Sequence, residues 1–226
     1  MNINPFISGS GTDKIISLSG MILTALLFTA CSNVEETYWP NGNLKSELPY
    51  TSGKLNGVAR WYYEDGTLQQ EVPYVDDRIE GTLVRYHDNG RKETEEIYVD
   101  NLRQGKAVEY SYPGKRIEQK YYVNDTLHGP YMKWHGNGEL QISGEFSHGL
   151  FTGTWLYYDD YGDLVGEGKY EQGSGVQRFW YPDGTLRTRT AYEQNLKHGT
   201  EYHYLPGGEI DHVVEYEMGE PVQAIE

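Results

Sequence analysis

The chain is poor in sulfur and in positive charge. Its 226 residues include one cysteine, Cys31, and four methionines. A lone cysteine excludes an intrachain disulfide, so no covalent staple holds the fold. Lys and Arg number 19 against 34 Asp and Glu, for a formal net charge of -15. A surface of that sign repels phosphate backbones and anionic headgroups, so nucleic acid is not an expected partner. Catalytic signatures are scarce too. None of the seven histidines (His87, His128, His135, His148, His198, His203 and His212) lies in H-E-x-x-H, and G-x-S-x-G does not occur. The histidines read as polar turn residues, with no metal and no cofactor expected.

One apolar run stands out, "IISLSGMILTALLFTA" from Ile15 to Ala30. Its 16 residues fall short of the ~20 that a transmembrane helix needs, and suit the core of a signal peptide. It ends "LFTAC", with small residues before the cysteine. This resembles a bacterial lipobox, although Phe28 stands where Leu is commonest and the segment before Lys14 is long. The alternatives are an uncleaved membrane anchor or a buried free thiol. The expectation is a helical lipoprotein signal peptide over 1–30, lipidation of Cys31 and a tether over 31–37. A repeat domain would follow over 38–222, with a tail over 223–226. Neither Ser32 nor Asn33 is the Asp that retains lipoproteins at an inner membrane. The expected location is therefore the extracytoplasmic cell envelope, at the outer membrane if the cell is Gram-negative.

Tyr and Gly are abundant, at 21 and 27 residues, which indicates β-structure cut by turns. The glycines are periodic. With Gly57 as position zero, the same place recurs at Gly81, Gly105, Gly129, Gly153, Gly175 and Gly199, at spacings of 24, 24, 24, 24, 22 and 24. A second glycine follows at position 9: Gly66, Gly90, Gly114, Gly138, Gly162, Gly184 and Gly208, with Gly42 in a truncated first copy. Such a period signals a repeat architecture. Position 5 is aromatic in every full copy: Tyr62, Tyr86, Tyr110, Trp134, Tyr158, Trp180 and Tyr204. So is position 17: Tyr74, Tyr98, Tyr122, Phe146, Tyr170, Tyr192 and Tyr216. Tyr38 and Tyr50 fill these places in the first copy. Position 11 is Leu or Ile, except where Lys92 and Arg116 break the pattern.

Residues two apart in a strand share a face. Positions 5, 11 and 17 are all odd, so each repeat reads as two strands with these side chains on one face. Asn41-Gly42, Asp65-Gly66, Asn89-Gly90, Asn137-Gly138 and Asp183-Gly184 mark a tight turn between the strands, and the connection to the next repeat reads as looser. The expected fold is all-β: an elongated, twisted, single-layer antiparallel sheet of about eight hairpins. At ~4.8 Å per strand it would extend roughly 75 Å. The copy at Gly153 is two residues short, within "EQGSG". An even deletion preserves parity, so the sheet should continue unbroken through a tighter turn at Gln172 to Gly175, with Gly173 or Gly175 at positive φ.

The phrase G-x-x-x-x-Y-Y-x-D-G-x-L-x-x-E-x-x-Y, best seen in "GVARWYYEDGTLQQEVPY" and "GVQRFWYPDGTLRTRTAY", resembles the MORN repeat in its bacterial variant form. With the lipobox, the chain is similar to bacterial MORN-variant lipoproteins, many of them called YwqK-like toxin–antitoxin antitoxins. The resemblance spans about Tyr38 to Val222. It implies a non-enzymatic scaffold that binds a protein or peptide, antitoxin-like or immunity-like, held to a membrane by its lipid. The competing reading is an enzyme acting on envelope glycan or lipid, or a lipid-binding module. Glu47, Glu71, Glu95 and Glu167 recur at position 14 and could supply paired carboxylates, but a residue repeated in every hairpin is more simply a cross-strand partner. The position-5 and position-17 aromatics are expected to hold neighbouring hairpins together. Trp61, Tyr63, Trp155 and Tyr181 lie outside those slots and are the candidate binding surface.

Overall fold

The computed structural model describes residues 32–225, with side chains described through Val222. The expected signal peptide and the lipidation of Cys31 lie outside the described residues. All regular structure among the described residues is β: twenty strands join one open antiparallel sheet, with no helix.

The strands pair in chain order as eight hairpins. They are Ser32–Tyr38 with Leu44–Thr51, Gly57–Tyr62 with Leu68–Val75, Gly81–Tyr86 with Lys92–Val99, and Leu102–Tyr110 with Arg116–Val123. Gly129–Trp134 with Leu140–Ser147, Leu150–Tyr158 with Leu164–Glu171, Ser174–Trp180 with Leu186–Glu193, and Leu196–Tyr204 with Ile210–Glu217 follow. We number these repeats 1 to 8. Three two-residue strands, Lys54–Leu55, Arg78–Ile79 and Thr126–Leu127, lead into repeats 2, 3 and 5, and Glu220–Ile225 closes the sheet. Eight hairpins in one layer is the architecture read from the period.

The ends reach further than expected. Ser32–Tyr38 covers the stretch assigned to a tether, yet it pairs residue by residue with Leu44–Thr51. Glu220–Ile225 runs into the stretch assigned to a tail. Ser32–Tyr38 is exposed along its whole length. Its Glu35 and Glu36 put charge on a free edge, which discourages further strand pairing.

The face assignment needs correction. In every hairpin the register shifts by one residue just before position 5. In repeat 2, Trp61 opposes Gln70, but Tyr62 opposes Leu68, and Gln69 is left over. One extra residue on the returning strand is a β-bulge, and it turns every later side chain over. Positions 3, 5, 11, 14 and 16 therefore share a first face; positions 2, 4, 13, 15 and 17 share the second. Tyr62, Tyr86, Tyr110, Trp134, Tyr158, Trp180 and Tyr204 therefore lie on the other face of the sheet from Tyr74, Tyr98, Tyr122, Phe146, Tyr170, Tyr192 and Tyr216. Counting parity assumed an unbroken pleat, and the bulge breaks it.

The turns are also reversed. At the Asx-Gly end only the glycine has positive φ, as at Gly66 (φ 90). The Gly66 N–H donates to the Tyr63 carbonyl at 2.9 Å, and the Thr67 N–H donates to the Asp65 carboxylate at 2.8 Å. This is a type I turn closed by a left-handed glycine. The connection between repeats is the tighter one. It has two residues, both left-handed, as at Asp76 (φ 49) and Asp77 (φ 67) between the paired Val75 and Arg78. That is the type I′ pattern; Asp and Asn tolerate it because their short side chains bond locally. These turns stack. The Asp77 N–H donates to the Leu55 carbonyl at 3.0 Å, while its carboxylate accepts the Leu55 N–H at 2.8 Å. Asn101 and Asp125 repeat the arrangement on Ile79 and Arg103.

The short copy runs through unbroken, as expected. Leu164–Glu171 and Ser174–Trp180 pair regularly from Gly166 opposite Phe179 to Glu171 opposite Ser174. Tyr158 and Trp180 keep the same face, and Gly173 has positive φ (78). The turn itself, Gln172–Gly173, is no tighter than the others. What the deletion removes is a swelling of the strand around position zero. Between repeats 2 and 3, Tyr74 opposes Ile79 but Gln70 opposes Arg85, so two extra residues bulge there; between repeats 6 and 7 they do not. Asn195 fills the space: its side chain crosses Gly173, accepting the Phe151 N–H at 2.7 Å and donating to the Gly149 carbonyl at 2.8 Å.

Candidate binding surface

Across repeats 1 to 4 the first face is a ladder of tyrosines and carboxylates. The position-5 hydroxyl of one repeat donates to the position-14 glutamate of the repeat before it: Tyr62 to Glu47 at 2.5 Å, Tyr86 to Glu71 at 3.0 Å, Tyr110 to Glu95 at 3.3 Å. Arg60 pairs with Glu71 at 3.0 Å, Lys92 with Glu95 at 3.1 Å and Lys169 with Glu167 at 2.7 Å. Glu47, Glu71 and Glu95 thus join neighbouring strands, while Glu167 is paired within its own strand. Burial, and next the hydrogen bond to a carboxylate, push the Tyr62 and Tyr86 phenols up to about 12. Both stay neutral donors near pH 7.

The second face changes along the sheet. In repeats 2 to 4 its position 2 is a buried aliphatic residue. Ala59 (0% exposed) opposes Val72 (1%), and Leu83 and Ala107 are buried at the same place as Ala59. In repeats 5 and 6 an aromatic ring takes that place, Tyr131 and Trp155. Trp155 is 3% exposed. Its indole lies over Gly144, where an added Cβ would come within 2.2 Å of the ring. Phe146 and Phe151 flank it at centroid distances of 5.1 and 4.5 Å, and Tyr170 and Tyr192 extend the cluster. Burial raises the Tyr170 phenol far above its usual range. Gly166 and Gly168 are floors of the same kind, under Phe179 and Tyr170. In repeat 8 the place of Trp155 goes to Glu201, buried, which accepts from Lys197 at 2.8 Å and Thr190 at 3.0 Å. Burial disfavours its charge, but these donors outweigh that and hold its carboxyl below the usual range.

Position 6, just before the turn, joins repeats at their Asx-Gly ends. Its side chain donates to the position-5 carbonyl of the next repeat: Trp39 to Tyr62 at 3.1 Å, Tyr63 to Tyr86 at 2.7 Å, His87 to Tyr110 at 3.2 Å, His135 to Tyr158 at 2.9 Å, Tyr181 to Tyr204 at 2.8 Å. The sequence reading missed this. The mixture of Trp, Tyr and His hid a shared property, a ring N–H or O–H at the tip of a rigid side chain.

The four candidate residues therefore separate. Trp61 and Tyr63 meet in a hollow of about 330 Å³ with Gln69, Gln70, Arg85 and Glu93. Tyr181 lines a different cleft, beside Trp180. Trp155 is not open at all but is the centre of the aromatic cluster. The histidines also sit mostly near turns. His203 and His212 are an exception, stacked across two paired strands at 4.2 Å. Among the described residues no group of three side chains is arranged to hold a metal.

A family model matches the first part of the sheet. The MORN repeat variant matches residues 33–52 and 55–76. Those residues are repeats 1 and 2. Repeats 3 to 8 share their bulge and their turns. MORN repeats in general bind proteins or membranes. No curated protein matches the chain.

Proposed function

We propose that the chain is a non-enzymatic, protein-binding scaffold, held at the cell envelope by a lipid on Cys31 and working as an antitoxin-like or immunity-like neutraliser. The observation that carries the binding reading is the single layer. Among the described residues no second sheet or helix covers either face, and solvent-accessible aromatic and acidic groups recur along both. The carboxylates that an envelope hydrolase would use are engaged by tyrosine, arginine and lysine at 2.5–3.3 Å, which favours the scaffold over the enzyme. The lipid anchor rests on the position of the only cysteine, directly after an apolar run and small residues.

Two experiments test this. Affinity capture with the full chain as bait should recover a protein partner in a stoichiometric complex. Recovery of none, together with hydrolase activity that E95Q or E167Q abolishes, would reverse the reading. Mass spectrometry of purified protein should show loss of residues 1–30 and a lipid adduct, and Cys31→Ala should leave the precursor unprocessed. Normal maturation of that variant would end the anchor proposal.

A further inference from the structure

The position-6 bridges fail at two junctions, and at one of them nothing replaces the bridge among the described residues. Position 6 of repeat 6 is Asp159, whose carboxylate folds back to accept the N–H groups of Tyr161 at 3.0 Å and Asp163 at 2.9 Å. It therefore does not reach repeat 7. Of the seven junctions between successive Asx-Gly turns, this is the one with no side-chain hydrogen bond across it among the described residues. A cleft of about 560 Å³ opens there. Trp180, Tyr181 and Pro182 form one wall and Leu164 and Val165 the other, with the carboxylates of Asp159 and Asp163 beside them. Tyr181 is fixed by its own bond to Tyr204, so that wall is rigid.

Repeats 4 and 5 show what fits such a notch. There too the bridge is missing, because Ser111 bonds within its own turn, to Lys115. The gap is closed by two cations of the same chain. The Arg116 guanidinium covers the Trp134 ring, 4.9 Å from its centroid. The Lys115 ammonium donates to the carbonyls of Gly136 and Asn137 at 3.2 and 3.0 Å. Arg116 is one of the two residues that break the repeat pattern at position 11. Trp180 is the counterpart of Trp134. The counterparts of Lys115 and Arg116, however, are Asp163 and Leu164, and among the described residues no cation lies over Trp180. The same indole wall remains, the cation is gone, and a negative charge stands in its place.

We propose that the notch between the turns of repeats 6 and 7 binds a basic peptide segment of a partner protein. One arginine or lysine side chain stacks on Trp180, with its charge against Asp159 and Asp163. A cation over an indole is attractive, the carboxylates complement it, and the net charge of -15 steers basic segments to the chain. The proposal rests on the scaffold reading and names the partner's chemistry and its seat.

The test uses the full chain and a fluorescein-labelled Gly-Arg repeat peptide, with a Gly-Glu repeat peptide as control, read by anisotropy at physiological salt. D163K/L164R rebuilds the closed junction of repeats 4 and 5 and should fill the notch from within. It should weaken peptide binding about tenfold or more, as should W180A, while melting of D163K/L164R is unchanged or raised. V34R/E35K makes the same charge change on the exposed first strand and should alter binding less than about twofold. Equal losses in D163K/L164R and V34R/E35K would mean that only the general acidic field attracts the peptide, and would overturn the proposal. So would wild-type binding in D163K/L164R, or equal affinity for the Gly-Glu peptide. A native partner that binds wild type and D163K/L164R alike would sink the notch and leave the scaffold reading standing. Recovery of no partner would instead count against the scaffold reading, with the peptide result judging the notch separately.

Discussion

Repeat 2 and repeats 5 and 6 solve one packing problem in two ways. Each hairpin sets position 2 opposite position 15 on the second face, with the position-17 ring beside them. In repeat 2 two small residues, Ala59 and Val72, share the space. In repeats 5 and 6 a large ring stands opposite a glycine, Tyr131 opposite Gly144 and Trp155 opposite Gly168, and the Trp155 indole also lies over Gly144. The strands are the same, so the space is the same, and filling it requires either two small aliphatic groups or one indole. The lesson is that a single-layer sheet can still bury residues, provided that neighbours along the face complete the volume.

The contrast can be broken by truncating each region's main filler. Trp155→Ala removes an indole that four rings pack against and should cost about 3–5 kcal/mol in urea unfolding. Val72→Ala should cost about 2 kcal/mol. Equal costs would mean that the aromatic region is no more dependent on its centre than the aliphatic one.

Gly173, where the two-residue deletion falls, sharpens the comparison. It is left-handed, and an added Cβ would lie 2.9 Å from Asn195 Oδ1 and 3.0 Å from the Asn195 backbone nitrogen. Gly173→Ala should cost about 2–3 kcal/mol. The same change at Gly53, also left-handed but with no atom near its Cβ position, should cost about 1 kcal/mol. A Gly173→Ala effect no larger than that would remove Asn195 from the account.

Glu201 is a third solution at the place of Ala59 and Trp155, a buried charge held by donors. Its carboxyl titrates below the usual range in the folded state, so its contribution is present above the pKa of the unfolded chain and is lost as pH falls through the lower folded value. Glu201→Gln should therefore cost about 1–3 kcal/mol at pH 7. The gap to wild type should close as pH drops below the ordinary glutamate range, about 4.3. A pH-independent gap would indicate lost packing alone.

The smallest expected effect concerns what the regions share. Tyr63→Phe and Tyr181→Phe each remove one bridge to the next repeat and should each cost about 1 kcal/mol. A marked inequality would show that the bridges depend on the face beneath them.

Much of this was legible in the sequence. Period, hairpin count, single layer and the harmless even deletion all follow from glycine spacing. The faces were not legible, because the extra residue at the bulge is Gln69 in one repeat, Glu93 in the next, then Ile117 and Val165, and shares no side-chain chemistry. The type I′ turns were hidden because Asp76-Asp77 and Asn124-Asp125 reach positive φ without a glycine. Trp155 read as exposed because it stands outside the repeat pattern. The clue to its burial was elsewhere, in Gly144 and Gly168, glycines inside strands where no turn calls for them.

The claim that the two regions are interchangeable fillings of one space is tested most directly by a double-mutant cycle at one pair. Trp155→Ala with Gly168→Val converts the aromatic pair into the Ala–Val pair already present at Ala59 and Val72. Gly168→Val alone should destabilise, because an added Cβ there comes within 2.4 Å of the Tyr170 ring. With the indole gone, that ring has room to move. The account predicts a double variant more stable than Trp155→Ala alone, with a favourable coupling of about 1–3 kcal/mol. Costs that simply add would contradict it.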